Sequence, residues 1–270
     1  MAKLLLFLLP AILGLLVPRS AVAVGTNYLL SGQTLDTEGH LRNGDLDLVM
    51  QGDCNLVLYN GNWQSNTANK GRNCKLTLTY YGELVINNGD GSSVWRSGDP
   101  SIKGNYTAVL HPAEGKLVVF GPSVFKIDPW VPHQLNSLRF RNIPFTKTNN
   151  LLFSGQVVYG DGWLTTENFQ FVMQLDCNLV LYGGTYGWQS NTHGNGENCF
   201  LRLNHEGELI IKDGDNNKII WSSHSSSELG KYVLILRDDG LVVIYGPAIW
   251  ETRSPVKEKM IIGMVTAGKL

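Results

Sequence analysis

Charged side chains are scarce in this sequence, and neither sign dominates. Lysine, arginine, aspartate and glutamate make up 17% of the 270 residues, and the formal net charge is −1. The chain has no basic stripe, and such a stripe is what attracts nucleic acids and anionic membrane surfaces. We therefore expect neither nucleic acid nor a membrane among its partners.

Long apolar runs are also missing, except at the N-terminus. Lys3 precedes an apolar stretch at 4–17, and the small residues of 21–23 follow at positions typical of signal peptide cleavage. The stretch contains Pro10 and is shorter than the about 20 residues that a membrane-spanning helix needs. Residues 1–23 are therefore predicted to be a signal peptide. This predicts entry into the secretory pathway, with the protein ending in the vacuole or outside the cell.

The motifs of common enzymes and metal sites are absent. The sequence has no Gly-x-Ser-x-Gly elbow, and its six histidines form no obvious cluster. Asp213-Gly214-Asp215 resembles the start of a calcium loop, but Lys218 stands at the glycine place and His224 at the final glutamate place. We expect no catalysis, no cofactor and no metal. A glycosidase that takes two carboxylates from distant parts of the chain stays open as an alternative.

Helical periodicity is lacking between the two termini. Thirty glycines and many Leu-Val-Val-like runs alternate instead with Asn-Gly, Asp-Gly and Gly-Gly turns. Short apolar runs bounded by such turns are typical of strands. The chain is therefore predicted to be all-β.

A nine-residue pattern occurs twice in the chain, almost unchanged. Its two copies are Gln51-Gly52-Asp53-Cys54-Asn55-Leu56-Val57-Leu58-Tyr59 and Gln174-Leu175-Asp176-Cys177-Asn178-Leu179-Val180-Leu181-Tyr182. Because strand side chains alternate between faces, the cysteine and leucines can anchor a core while the other set is presented outside. Two amides, a carboxylate, an aliphatic patch and a phenol suit a ligand covered in hydroxyls. The pattern therefore predicts a sugar site.

The size of a sugar requires the pattern to bend. A flat strand would spread it over about 26 Å at ~3.3 Å per residue, far more than a monosaccharide. We predict a hairpin that turns at 52–54, which places Gln51 across from Asn55 and leaves Asp53 at the tip.

Each polar position then has an expected role. Asp53 would accept hydrogen bonds from vicinal hydroxyls, and Gln51 and Asn55 would each donate and accept. Tyr59 would donate to a ring hydroxyl, while Val57 would pack on the carbon face of the sugar. A second site with the same roles is predicted at Gln174, Asp176, Asn178, Val180 and Tyr182.

The repetition extends over most of the chain and indicates a tandem duplication. Segment 62–67 returns at 187–192 and segment 82–86 at 207–211. Within each half, a finer threefold repeat of strand-like runs is followed by one aromatic residue. These aromatic residues are Trp63, Trp95 and Phe125 in the first half and Trp188, Trp221 and Trp250 in the second. We therefore predict two three-sided prisms, each with an aromatic core supplied by its own half.

The domain boundaries follow from this repeat. The two domains are predicted at 24–131 and 149–254, each within the usual size of a single domain. The intervening segment at 132–148 is rich in proline and basic residues, and is read as an exposed linker. Proteolytic processing and an uncut tether both stay open there. Residues 255–270 are read as a removable C-terminal propeptide, with a docked amphipathic helix as the alternative.

The four cysteines occupy equivalent places in the two halves. Cys54 and Cys74 correspond to Cys177 and Cys199, and one disulfide within each half is the simplest of the three connectivities. Zinc is the rival interpretation, but the chain has no Cys-x-x-Cys pair and no matching histidine spacing. Asn105 lies in the chain's single Asn-x-Thr sequon and is either glycosylated or an ordinary surface asparagine.

The repeated pattern, the paired cysteines and the threefold repeat together resemble the monocot mannose-binding (bulb-type) lectins. The two-domain layout resembles the aroid tuber agglutinins, and the likeness covers essentially the whole mature chain. It implies two β-prism II domains that bind terminal mannose on high-mannose N-glycans without a metal. It also implies dimers or heterotetramers of processed domains, agglutination, and a role in storage and in defence against insects. A storage or taste-modifying relative with inactive sites is the alternative, and the two intact motifs argue against it.

Four other segments occupy similar places but depart from the motif, at 79–87, 111–120, 204–212 and 237–245. Losing one hydrogen-bond partner costs ~1–3 kcal/mol, whereas a millimolar monosaccharide site has only about 4 kcal/mol in total. These four segments are predicted not to bind mannose alone.

Overall fold

The computed structural model describes residues 27–129, 149–183, 186–225 and 227–253. The predicted signal peptide (1–23), linker (132–148) and C-terminal propeptide (255–270) lie outside these residues. The described ranges contain 24 strands and no helix, so none of their segments is a helix that could cross a membrane. The prediction of an all-β chain is confirmed.

Strands β1 to β12 belong to the first half of the chain. They run Tyr28–Leu30, Thr34–Leu35, His40–Asn43, Leu46–Met50, Leu56–Tyr59, Trp63–Gln64, Lys75–Leu78, Leu84–Asn87, Ser93–Arg96, Thr107–His111, Lys116–Phe120 and Ser123–Ile127. Strands β13 to β24 belong to the second half. They run Leu151–Phe153, Val157–Tyr159, Gly162–Thr165, Gln170–Met173, Leu179–Gly183, Tyr186–Gln189, Phe200–Leu203, Leu209–Lys212, Ile219–Ser222, Val233–Leu236, Val242–Tyr245 and Ala248–Glu251.

The strands form six four-stranded antiparallel sheets, three around each of two cores. The first prism has sheets in the order β2-β7-β8-β9, β3-β4-β5-β6 and β1-β10-β11-β24. The second prism has β14-β19-β20-β21, β15-β16-β17-β18 and β12-β23-β22-β13. The predicted three-sided prisms are therefore present.

Alternation of side chains along the strands fills each core. Leu56 and Leu58 of β5 are at most 1% exposed and face the first core, whereas the intervening Val57 is half-buried and Tyr59 is 47% exposed. Leu179 and Leu181 of β17 are likewise fully buried in the second core. The apolar set of the repeated pattern therefore anchors the core, as its period predicts.

The two halves exchange one strand each. Strand β12 of the first half pairs with β23, with Phe125 opposite Ile244. Strand β24 of the second half pairs with β11, with Trp250 opposite Val119. The third sheet of each prism is therefore completed by the other half of the chain.

This exchange corrects the prediction that each half supplies all the aromatic residues of its own core. Trp250 packs against the first core, where its ring lies 6.1 Å from each of Trp63 and Trp95. Phe125 packs against the second core, beside the cluster that contains Trp188 and Trp221. Sequence repetition gives the number of aromatic residues in a prism but not which half donates them.

A third apolar cluster joins the two prisms. The outer faces of the two exchanged sheets pack together through ten buried side chains: Tyr28, Val109, Val118, Phe120, Leu151, Phe153, Val233, Ile235, Val243 and Tyr245. At its edge, Asn27 Nδ2 donates to Asn150 Oδ1 at 2.7 Å. The prisms are therefore held together by a continuous apolar interface as well as by the shared sheets.

The disulfides connect Cys54 with Cys74 and Cys177 with Cys199, which confirms one bond within each half. Each bond ties the turn of the repeated pattern to the strand that follows in the neighbouring sheet. Closing a loop of 20 residues stabilises the fold by about 3 kcal/mol in the chain-entropy description.

Candidate functional site

The repeated pattern folds into a hairpin with its turn where the sequence predicts it. Strands β4 and β5 are joined by the turn at 51–55, in which Gln51 N donates to Asn55 O at 2.9 Å and Cys54 N donates to Gln51 O at 3.0 Å. Gln174 and Asn178 make the corresponding bond at 2.9 Å between β16 and β17. The geometry therefore brings the first three polar positions of each pattern to one end of a hairpin.

The tip carboxylate keeps one oxygen for a ligand in the first copy. Asp53 Oδ1 accepts the backbone N–H of Asn55 at 2.9 Å, which fixes the direction of the carboxylate. Oδ2 makes no hydrogen bond to any residue in the described ranges, and the side chain is exposed. Asp53 Oδ2 can therefore accept a hydrogen bond from a hydroxyl group of a ligand.

The amide and the phenol at the two ends of the pattern bond to each other. Gln51 Nε2 donates to Tyr59 Oη at 2.8 Å, and Gln174 Nε2 donates to Tyr182 Oη at 2.7 Å. Because the Tyr59 oxygen accepts this bond, its own proton can be donated to a ligand. The hairpin thus brings the first and last positions of the pattern into contact.

The sequence predicts that the asparagine of the pattern is presented on the surface, but the structure buries it. Asn55 is 6% exposed, and its Oδ1 accepts bonds from Ser65 Oγ and Thr67 N at 3.1 Å each. Its Nδ2 donates one proton to Gln64 Oε1 at 2.8 Å. The acceptor oxygen is therefore fully engaged, and one amide proton remains for a ligand.

The second copy repeats this arrangement around Asn178. Its Oδ1 accepts from Ser190 Oγ at 3.1 Å and Thr192 N at 3.2 Å, and its Nδ2 donates to Gln189 Oε1 at 3.0 Å. Val180 also differs from expectation, because it is 2% exposed between its neighbours on β16 and β18, whereas Val57 is half-buried. An apolar contact with a ligand is therefore more restricted in the second copy.

Sequence reasoning missed the residues that hold the asparagine. They are Gln64, Ser65 and Thr67 in the first copy and Gln189, Ser190 and Thr192 in the second. The signal was present, because the run Trp-Gln-Ser-Asn-Thr recurs unchanged at 63–67 and 188–192. Polar residues that are identical in the two copies of a repeat indicate that they make the same contact in both.

Removing this anchor is expected to loosen the hairpin. An Asn55→Ala variant would leave Thr67 N without its acceptor in a buried position, which costs ~1–3 kcal/mol. We expect that loss in the free energy of unfolding, measured by urea denaturation, together with a loss of ligand binding at the first hairpin. Lys70→Ala, at an exposed neighbouring position, is the control. An Asn55→Ala protein as stable as this control would contradict the role assigned to the asparagine.

The walls beside the two hairpins differ. In the second copy, Asp161, Leu175 and Tyr182 help to line a cavity of about 360 Å³ at the hairpin. In the first copy Gly52 replaces Leu175, and a Cβ at Gly52 would lie 2.8 Å from Glu38 Oε1. In the second copy the shorter Asp161 occupies the place of Glu38. The smaller acid therefore leaves room for the larger Leu175 beside the hairpin.

Two of the degenerate segments replace the asparagine by an acid that is already paired. Glu83 is 6% exposed and accepts from Arg96 Nη1 at 3.0 and 3.2 Å. Glu208 bonds to the Ser222 hydroxyl. At the asparagine position these two segments therefore have a carboxylate that already accepts hydrogen bonds from the protein, and no amide N–H to donate to a sugar.

The remaining two degenerate segments lie in the interface between the prisms. Phe120 is fully buried, and Tyr245 is 1% exposed, which raises the pKa of its phenol. The apolar interface therefore covers the strand positions that a sugar would need.

Other candidate positions have plain structural roles. Asp213 Oδ1 accepts the backbone N–H of Asp215 at 2.9 Å, and Asn216 Nδ2 donates to Oδ2 at 2.9 Å, so a turn engages both oxygens of this acid. In the described ranges no three acidic, histidine or cysteine side chains gather into a metal site.

Asn105 is exposed, while Tyr106 and Thr107 of its sequon are fully buried. Its glycosylation stays a prediction.

Comparisons with known proteins identify the family. No protein-family model matches the chain. Mannose-specific lectin CEA of Colocasia esculenta is 82% identical over 270 residues, covering 100% of both chains. Mannose-specific lectin 1 of Remusatia vivipara is 82% identical over 254 residues, covering 94% of this chain and 97% of that protein.

A solved structure agrees with the two-prism architecture. The fetuin-binding Scilla campanulata agglutinin, a two-domain lectin, matches with a TM-score of 0.74 and 28% identity, over 84% of this chain and 100% of that one. The match spans both prisms, as the two-domain prediction requires. The chain therefore belongs to the monocot mannose-binding (bulb-type) lectins and resembles the two-domain agglutinins of aroid tubers.

Proposed function

We propose that this protein binds terminal mannose on high-mannose N-glycans at its two intact hairpins, without a metal and without catalysing a reaction. The observation that carries the proposal is the set of hydrogen bonds that two distant copies of the pattern share. In both, a tip carboxylate, an anchored asparagine and an amide-bound tyrosine lie on one hairpin. Relatives at 82% identity are named as mannose-specific, which supports the choice of sugar.

Each group of the first site has a separate role in this proposal. Asp53 Oδ2 accepts hydrogen bonds from vicinal hydroxyls, and charge-assisted bonds of this kind are the stronger ones. Asn55 donates its remaining amide proton, Gln51 offers its carbonyl oxygen, and Tyr59 donates its phenolic proton. Val57, half-buried, contacts the carbon face of the sugar. The second site uses Gln174, Asp176, Asn178 and Tyr182 in the same roles, with a smaller contribution from Val180.

Useful avidity then comes from joining weak sites. Linking two binding sites raises apparent affinity by about 10²–10⁴ without new contacts. Two sites on one chain can cross-link glycoproteins, and dimers or heterotetramers of processed chains would extend this to agglutination. We propose a secreted or vacuolar protein with storage and defensive, including insecticidal, roles. The four degenerate segments are proposed not to bind mannose alone.

Calorimetric titration with methyl α-mannoside tests the proposal. We expect about two weak sites per chain in the wild type, one in Asp53→Asn, one in Asp176→Asn and none in the double variant. Each lost acceptor costs ~1–3 kcal/mol, up to about a hundredfold in affinity. Asp99→Asn, at an exposed position away from both hairpins, is the matched control.

The outcomes separate cleanly. A chelator is expected to leave binding unchanged, and a requirement for metal would contradict the proposed mechanism. Binding that survives in the double variant would show that the sugar site lies elsewhere. Absence of heat from both the monosaccharide and mannose oligosaccharides in the wild type would favour a storage protein with inactive sites.

A further inference from the structure

The two hairpins share a scaffold but differ at one residue next to the tip carboxylate. Asn69 N donates to Asp53 O at 2.7 Å, and Gly194 N donates to Asp176 O at 2.8 Å. Thr67 and Thr192 hold the same segment to their asparagines. The residue between these two fixed points is Ala68 in the first copy and His193 in the second.

His193 contacts the carboxylate that the sugar is expected to use. Its Nδ1 lies 3.0 Å from Asp176 Oδ2, while Asp176 Oδ1 accepts the backbone N–H of Asn178 at 3.0 Å. Both oxygens of Asp176 are therefore engaged before a ligand arrives. Asp53 keeps Oδ2 without a hydrogen bond in the described part of the chain, because Ala68 offers no donor.

We propose that His193 competes with the sugar for Asp176, so that its contact lowers the affinity of the second site for terminal mannose, a penalty that the first site does not carry. The inference rests on the proposed function and deepens it. It makes the two sites of one chain unequal, although their five-residue motifs are identical.

The contact has a direct cost for binding. A sugar hydroxyl must displace the His193 imidazole before it can donate a hydrogen bond to Asp176 Oδ2. Part of the free energy of that new bond is therefore used to replace a bond that already exists. In the first site Ala68 has no such donor, so the bond from the sugar to Asp53 Oδ2 keeps its whole free energy.

The surroundings of the contact limit the size of the effect. Asp176 lines the cavity together with Asp161 and Tyr182, and no lysine or arginine among the described residues lines it. The His193 side chain is 77% exposed, and solvent weakens exposed polar contacts considerably. We therefore expect the contact to lower the affinity by about two- to fivefold.

The test uses the full chain with one site silenced at a time. Asp53→Asn reports the second site and Asp176→Asn reports the first, by calorimetric titration with methyl α-mannoside. His193→Ala in the Asp53→Asn background should raise the affinity of the second site by about two- to fivefold. Ala68→His in the Asp176→Asn background should lower the affinity of the first site by a similar factor.

Unchanged or lower affinity in the His193→Ala variant would overturn the inference while leaving the proposed function intact. Unchanged or higher affinity in the Ala68→His variant would also overturn it. Absence of sugar binding at both sites would instead refute the proposed function, and this inference with it.

Discussion

Replacing Trp250 with alanine is expected to destabilise the first prism by about 2–3 kcal/mol, although Trp250 belongs to the second half of the sequence. Trp250 lies on the exchanged strand β24 and closes the edge-to-face cluster with Trp63 and Trp95. Truncating a buried aromatic side chain to alanine costs about 3–5 kcal/mol, and Trp250 is only partly buried, which reduces the figure.

Amide hydrogen exchange can assign this loss to one prism, because protection reports local opening. Faster exchange is expected in β7 and β8 of the first prism, with β19 and β20 of the second nearly unchanged. Phe125→Ala is the matched variant, because Phe125 lies on the exchanged strand β12 and packs on the second core. It should produce the opposite pattern.

The reciprocal pattern is the decisive result. If Trp250→Ala loosened the second prism more than the first, the exchange of strands would not exist in solution. If both variants accelerated amide exchange equally in both prisms, the interface would couple the prisms into one unfolding unit. Amide exchange could then not assign either aromatic side chain to one core.

Cutting the chain within 132–148 is expected to leave the two halves associated in native buffer. Each half contributes a strand to the other prism, and the ten side chains between the exchanged sheets are buried. Separation would expose this apolar surface and leave β11 and β23 with open edges, which is unfavourable in water.

Ion pairs at the same interface add little to this association. Lys116 Nζ lies 2.6 Å from Glu251 Oε1, and Lys231 Nζ lies 2.8 Å from Glu114 Oε2. Hydrogen bonding to Glu114 raises the pKa of Lys231, so this lysine stays charged. Partly exposed pairs contribute only about 0–1 kcal/mol each, and high salt alone should not separate the halves.

An engineered protease site within 132–148 makes this prediction measurable. After complete cleavage, size-exclusion chromatography should show both fragments in one peak at the elution volume of the intact protein, in low and in high salt. Separation should begin only at the urea concentrations that unfold the sheets. Uncleaved protein carrying the same site is the control, and fragments that elute separately in native buffer would contradict the exchanged arrangement.

Patterns that are local in the sequence led to correct predictions of local structure. The alternation of Leu56 and Leu58 with Val57 and Tyr59 predicts which face is buried, because the period of a strand is two. An extended nine-residue pattern would be much longer than a monosaccharide, and this difference predicts the turn after Gln51. The equivalent places of the cysteines give the disulfides.

Features that depend on partners far along the chain were not predictable in the same way. Asn55 carries the residue type of a ligand-facing group, yet Ser65 and Thr67 engage its oxygen, ten and twelve residues further on. Nothing in the composition of 51–59 indicates that these residues turn back onto it. The contact of His193 with Asp176 likewise joins residues separated by 17 positions.

The sequence by itself therefore determined the all-β class, the duplication, the threefold repeat and the two copies of the nine-residue pattern, because each follows from the order of neighbouring residues. Only the tertiary structure decided which prism receives Phe125 and Trp250, which degenerate segments the interface covers, and which tip carboxylate keeps one oxygen without a hydrogen bond among the described residues. An exchanged strand makes the same hydrogen bonds and buries the same ring in either prism. Its destination is set by the packing of the whole chain and not by its own residues.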